Sequence, residues 1–375
     1  MSARPVVIAA GGTGGHLFPA EALATELKRR GRELVLVTDR RGGDYESRFP
    51  GVSIHAVRAG KYAGQGLLDK AKAAFETSLG AIAARRLLKE IAPAAAVGFG
   101  GYASLPTMLA ATAQGVPSLI HEQNARLGRA NRLLAAKVDA IATAFAETSG
   151  LREAYKAKAH VTGNPVRAAI VAVRVLEYTP PAEGGSFRLL VLGGSQGARV
   201  LSDVVPAALA SLDDAIRQRL RVVQQARPED LARVRAAYAS CDILAELAPF
   251  FADVPAQLAV CHLVISRAGA STIAELAVTG RPAILVPFAA AADDHQTENA
   301  RVLTDAGGAF TLAEDRLTVP ALAESVKALL KDPFSLAAMA QKAKAQGQPN
   351  ATFALADLVE ELGRNGNRDL GRAAA

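Results

Sequence analysis

Cysteine is nearly absent: Cys241 and Cys261 are the two in 375 residues. Two thiols can build neither a disulfide framework nor the four-ligand cluster of a structural zinc site, so a reducing compartment is the expectation. Long apolar runs are missing too. Val6-Val7-Ile8-Ala9-Ala10 is too short for the apolar region of an export signal. Residues 91–120 carry no charge, but Pro93, Pro106 and Pro117 cut them into pieces shorter than a membrane span. No Lys/Arg-rich run is interleaved with aromatics and no zinc-finger spacing occurs, which argues against nucleic acid as a partner. Also lacking are a Walker lysine, a strict Gly-x-Gly-x-x-Gly, a Gly-x-Ser-x-Gly elbow and an activating signature around either cysteine. P-loop chemistry, the usual dinucleotide grip and a covalent nucleophile are therefore unsupported.

What is present is a globular composition, 50% hydrophobic and 21% charged, with length enough for two domains. The net charge of +7 is uneven: residues 1–163 hold 22 Lys and Arg against 13 Asp and Glu, and the remainder holds 21 against 23. That basic half fits an anionic membrane surface. Short apolar runs, glycine turns and helix-length amphipathic stretches repeat along the chain as in parallel βαβ units. Strands are expected at 5–10, 34–38, 52–57, 94–98, 117–121, 139–143 and 158–161. After the Pro180-Pro181-Ala182-Glu183-Gly184-Gly185 stretch, read as a surface connection, they resume at 188–192, 219–224, 242–246, 262–265, 283–286 and 309–311. Two doubly wound sheets follow, with domains at 1–163 and 164–340 and a mostly helical tail from 341 to 375.

Each series opens on a strand running into glycines and then a helix: Gly11-Gly12-Thr13-Gly14-Gly15-His16 with a helix over 19–30, and Gly193-Gly194-Ser195-Gln196-Gly197-Ala198. Such corners let a backbone approach an anion at a helix N-terminus. His16 ends the first corner and is a candidate general base. His121-Glu122-Gln123-Asn124 puts four polar residues at the end of a buried strand, where open parallel sheets bind ligands. Gly98-Phe99-Gly100-Gly101-Tyr102 also follows a strand. Glu275 opens a helix after another glycine corner, where a carboxylate can accept from ribose hydroxyls. Asp293-Asp294-His295-Gln296 is isolated from other ligands, so sugar hydrogen bonding is favoured over metal. Leu68, Phe75, Leu79 and Ile82 recur at helical spacing among Lys70, Lys72, Arg85, Arg86 and Lys89, as on an interfacial helix.

In this ordered series, with Gly163-Asn164-Pro165-Val166-Arg167 and Ser266-Arg267-Ala268-Gly269-Ala270 added, the chain resembles the MurG family over nearly its whole length. These are N-acetylglucosaminyltransferases acting on lipid-linked N-acetylmuramoyl-pentapeptide in peptidoglycan synthesis. The resemblance implies an α/β fold of GT-B architecture: two Rossmann-like domains with an interdomain cleft, and the C-terminal helix packing back on the first. It implies Ser195 and Arg167 at the UDP diphosphate, Phe251 and the segment from Ala270 around uridine, and Glu275 on the ribose. Gln296 and Asn124 would hold the N-acetylglucosamine under Thr13, Gly14 and Gly15. His16, then Glu122, are the candidates to deprotonate the acceptor; Gly100, Tyr102 and His121 would face the acceptor, and Phe75 and Leu79 the membrane.

The implied reaction is inverting transfer from UDP-N-acetylglucosamine to the C4 hydroxyl of undecaprenyl-pyrophosphoryl-MurNAc-pentapeptide, with no resident cofactor and no metal. Its setting would be the cytoplasmic face of the bacterial inner membrane, held peripherally and open to other cell-wall enzymes as partners. Two other classes compete. A nicotinamide-dependent dehydrogenase would explain the first corner with Asp39 on a ribose but leaves the second corner idle. A non-catalytic nucleotide-sugar-binding protein would keep the donor residues without a base.

Overall fold

The computed structural model describes residues 4–12, 14–39, 45–60, 66–195 and 197–373. Two compact units divide the chain: residues 1–167 with 349–375, and residues 168–348. Unit one carries β1 (Val6–Ala9), β2 (Leu34–Asp39), β3 (Ser53–Val57), β4 (Ala95–Gly98), β5 (Ser118–Glu122), β6 (Ala140–Thr143) and β7 (Ala159–Val161). They form one parallel sheet in the order β3-β2-β1-β4-β5-β6-β7. Strand β1 shows why the central strands are apolar throughout: Val6 and Ile8 enter the core on one face, Val7 and Ala9 the core on the other.

Unit two repeats the plan with β8 (Phe187–Leu192), β9 (Leu220–Gln225), β10 (Leu244–Ala248), β11 (Leu263–Ser266), β12 (Ala283–Leu285) and β13 (Ala309–Thr311), ordered β10-β9-β8-β11-β12-β13. In both sheets the winding direction reverses beside the first strand, between β1 and β4 and between β8 and β11. At such a reversal the loops beyond the strand ends splay apart and leave a crevice.

Boundaries differ from the sequence expectation in three places. The units divide at 167/168 and 348/349, not at 163 and 340, so Arg167 belongs to unit one and helix Pro333–Ala345 to unit two. The Pro180 to Gly185 stretch lies inside unit two. The first helix runs Gly14–Arg29, with Pro19 inside it, which places His16 in the first helical turn.

Helix Ala351–Ala373 closes unit one, burying Leu355, Ala356 and Val359 against Leu17, Leu23 and Leu27 of helix Gly14–Arg29. A charged clasp seals the seam. Arg30 reaches Glu26 (2.7 Å), Asp357 (2.5 Å) and Glu360 (3.1 Å), and Arg32 reaches Glu360 (2.6 Å). Hydrogen bonds from Arg29 hold the Glu26 carboxyl down at about 2, outweighing its burial, and Arg30 adds to the effect. A free carboxyl titrates near about 4.3, so the stabilisation from Glu26 is whole above that pH and disappears as pH falls toward about 2. We expect hydrogen exchange along residues 351–362 to accelerate across that acid window, and Glu26→Gln to flatten the dependence.

Candidate functional site

In unit one, the candidate residues straddle the β1/β4 reversal. His16 follows β1, Gly100 and Tyr102 follow β4, and His121 and Glu122 end β5 with Asn124 just beyond. His16 Nδ1 lies 3.0 Å from Gln123 Oε1, Gln123 Nε2 lies 3.0 Å from His121 Nδ1, and His121 Nε2 lies 2.9 Å from the Gly163 carbonyl oxygen. Gly101, at φ +67°, passes the other side of the His16 ring: a Cβ there would stand 3.2 Å from Nε2 and 3.1 Å from Cδ2. Glycine is needed at 101 for both the left-handed backbone and this clearance.

His121 is fully buried, stacked at a tilt 5.5 Å from Phe99, and both its nitrogens are engaged. Burial pushes its imidazole down to about 4 against the pull of the Gly163 carbonyl, with His16 adding to the lowering. Both ring nitrogens, which the sequence expectation turned toward the acceptor, have partners within the protein. Glu122 is engaged in a similar way. Its Oε1 accepts from the backbone and side-chain nitrogens of Asn124, both at 3.0 Å, and its Oε2 accepts from the Gly128 backbone and Asn131 Nδ2, both at 2.8 Å. Four donors thus converge on a buried carboxylate, and Glu122 organises the turn leading into helix Arg129–Leu134.

Beside the first corner, the Arg167 and Arg48 guanidinium carbons lie 5.2 and 5.0 Å from the Phe18 ring centroid. Glu21 is pushed up by burial, partly offset by the charges of Arg48 and Arg167. Gly14 is buried and Gly15 half-buried at the helix start; Thr13 lies outside the described residues.

In unit two, Ser195 is exposed after β8, Phe251 is half-buried after β10, Ala270 and Glu275 lie on helix Ala270–Thr279 after β11, and Gln296 follows β12. Gly193 turns so tightly that a Cβ would sit 2.5 Å from the Ala198 nitrogen. Gln225, at the end of β9, braces this corner by accepting from Gly193 N and donating to the carbonyls of Gly194 and Pro249, each at 3.1 Å. Sequence reasoning missed Gln225, and it also missed Arg267. That buried guanidinium donates to the carbonyls of Val286 and Pro287 and to Glu314 (2.8 Å) while covering Phe288.

Gln296 spends its carbonyl oxygen on the Phe288 N–H (2.9 Å), so its amide N–H is what it has to offer. The neighbouring Asp293 and Asp294 both adopt left-handed backbone, and Asp294 holds Thr297 Oγ1 at 2.7 Å. The hydroxyls of Ser266 and Ser271 are buried without a protein partner on either side of the β11 turn. Among the described residues no His, Cys, Asp and Glu side chains gather in the threes a metal ion would need.

Helix Leu67–Ile91 buries Ala73, Thr77, Gly80, Ala84 and Leu88. Leu68, Phe75 and Ile82 share another face and are 87%, 62% and 53% exposed, with Lys70, Lys72, Arg85, Arg86 and Lys89 exposed around them. Of the stripe Leu68, Phe75, Leu79 and Ile82 expected from sequence, Leu79 is half-buried, so the outward row is Leu68, Phe75 and Ile82. Among the described residues no helix is long and apolar enough to cross a membrane.

Residues 6–143 match the glycosyltransferase family 28 N-terminal domain and residues 188–357 its C-terminal domain. The chain is 52% identical over 359 residues to the UDP-N-acetylglucosamine--N-acetylmuramyl-(pentapeptide) pyrophosphoryl-undecaprenol N-acetylglucosamine transferase of Rhodospirillum centenum, covering 96% of this chain and 94% of the relative. It is 53% identical over 357 residues to the protein of the same name from Paramagnetospirillum magneticum, covering 95% and 96%. The crystal structure of Acinetobacter baumannii MurG superposes with a TM-score of 0.77 at 30% identity, covering 96% of this chain and 99% of that one.

Proposed function

The chain belongs to the MurG family of GT-B glycosyltransferases, and on that footing we propose how its residues divide the work of the transfer. It is a UDP-N-acetylglucosamine-dependent transferase that moves N-acetylglucosamine onto undecaprenyl-pyrophosphoryl-MurNAc-pentapeptide, converting lipid I to lipid II. The observation carrying this reading is identity above 50% over nearly the full length of both chains. Transfer of labelled N-acetylglucosamine from the UDP donor to a lipid-linked muramoyl-pentapeptide tests it, and UDP release without labelled lipid product would overturn it.

In the finer reading, the acceptor's C4 hydroxyl attacks the anomeric carbon with inversion as the sugar–diphosphate bond breaks. His16 takes the hydroxyl proton. The leaving UDP gathers negative charge, which the N–H groups at the Gly193 corner and the Arg167 guanidinium are suited to stabilise, so the reading calls on no resident cofactor or metal. Asn124, Gln296, Gly14, Gly15 and Thr13 are assigned to the sugar, Glu275 to the ribose, Phe251 and Ala270 to the uridine, and Ser195 to the diphosphate. Gly100 and Tyr102 are assigned to the acceptor.

The acceptor's polyprenyl chain stays in the bilayer, so the enzyme must come to it. We assign that docking to the Leu68, Phe75 and Ile82 row with its basic rim, working peripherally on the cytoplasmic face of the inner membrane, where other cell-wall enzymes can meet it. Each cation near anionic lipid contributes roughly 1 kcal/mol and is screened by salt. Phe75→Ser/Ile82→Ser is expected to lower cosedimentation with anionic liposomes by about 10-fold or more, given about 1.5–3 kcal/mol per large apolar side chain withdrawn from water. Transfer to a short-chain soluble acceptor should remain near wild type. Unchanged liposome binding by the folded double variant would move the membrane surface elsewhere.

A further inference from the structure

We propose that Gln123 and His121 are positioning residues that hold His16 as its Nδ1–H tautomer, leaving the Nε2 lone pair to take the acceptor proton. The proposal rests on the reading of His16 as the base. Its logic is one of hydrogen-bond polarity, and two backbone carbonyls set that polarity because a carbonyl oxygen can only accept.

The Gly163 carbonyl lies 2.9 Å from His121 Nε2, so that nitrogen carries the proton. His121 is fully buried and its imidazole is held low by that burial, so it keeps a single proton and its Nδ1 is bare. A bare Nδ1 must accept, and Gln123 Nε2 stands 3.0 Å away. The carbonyl of His121 fixes the same amide end independently, since it also lies 3.0 Å from Gln123 Nε2. With the amide nitrogen thus placed, Gln123 Oε1 faces His16 Nδ1 at 3.0 Å and can only accept from it. Neutral His16 then has one arrangement, with its proton on Nδ1 and Nε2 bare in the clearance left by Gly101.

A free imidazole side chain prefers the opposite tautomer, with the proton on Nε2, which cannot act as a base from that nitrogen. The relay reverses this preference. During transfer the acceptor oxygen keeps the O–H electron pair for its new bond to the anomeric carbon, the proton passes to Nε2, and the electrons of the broken sugar–oxygen bond leave with UDP. The resulting imidazolium keeps Nδ1–H on Gln123 Oε1, and the aligned amide, imidazole and carbonyl dipoles all point acceptor ends toward the new charge.

Nitrogen-15 NMR of protein labelled at histidine tests the tautomers without mutation. His16 should show a protonated Nδ1 and bare Nε2, and His121 the reverse. In Gln123→Leu the His16 signals should move to the Nε2–H form. Its kcat should fall by on the order of 10- to 100-fold, a part of the about 10²–10⁴ a general base supplies, with donor KM within about 2-fold. His121→Phe, which keeps a ring against Phe99, should act in the same direction and serves as a second variant if Gln123→Leu folds poorly. Wild-type His16 protonated at Nε2, or a folded Gln123→Leu with unchanged kcat, overturns the proposal. If His16→Ala turns over normally, the base reading fails and the catalytic half of the proposal with it, whereas the wild-type tautomer signals still decide the hydrogen-bond half.

Discussion

His16→Ala is expected to lower turnover by about 10²–10⁴-fold, the range in which a positioned general base contributes, while donor KM stays within a few-fold. The separation matters because His16 sits in the first turn of helix Gly14–Arg29, where a helix-packing histidine would also be at home. Loss of packing alone would appear as lower thermal stability or a raised KM, since neither reports the proton transfer. Steady-state kinetics with both substrates varied, read beside a melting curve, separates the two. Turnover within a few-fold of wild type would remove His16 from the chemistry.

Glu122→Leu is the second large effect, and it should register in stability. The substitution leaves four N–H donors facing an apolar side chain: two from Asn124, one from Gly128 and one from Asn131. An orphaned buried donor costs about 1–3 kcal/mol, so with some relaxation of the turn a loss on the order of 4 kcal/mol is expected in denaturant unfolding. A carboxylate acting as base would give the opposite pattern, with unfolding unchanged and turnover lost.

Much of the fold was legible because both sheets are parallel and covered on both faces. The central strands β1, β4, β11 and β12 are short, fully buried and mostly apolar, and every strand expected from sequence corresponds to one of β1 to β13. The helix after the first corner was misplaced because Pro19 looks like a first-turn proline, whereas it lies farther inside a helix beginning at Gly14. The unit boundary was missed because its composition is unremarked: Arg167 runs directly into helix Ala168–Val173, while the more loop-like Pro180 to Gly185 stretch is internal.

For the candidate site, strand-end position accounts for His16, Gly100, His121, Glu122 and Asn124 lying at one end of the first sheet, but not for which lone pairs are already taken. His121 is satisfied by a carbonyl 42 residues away and His16 meets Gln123 across 107 residues, distances at which sequence spacing carries no hydrogen-bond information. Gln123 stood in view between two residues singled out on chemical grounds, and nothing local distinguished its role.

The return of helix Ala351–Ala373 to unit one has a consequence for the order in which the protein is made. Unit one is interrupted in sequence by all of unit two, so a ribosome that has finished the seven strands of the first sheet has yet to supply the helix that covers Leu17, Leu23 and Leu27. At about 5–20 residues per second the wait for residues 168–373 is roughly 10–40 s, during which that apolar face stays uncovered. Unit two, contiguous from 168 to 348, can finish its core on the way. The half of the chain translated first is therefore the half completed last, and fragments ending before residue 351 should present the uncovered face to chaperones or to one another.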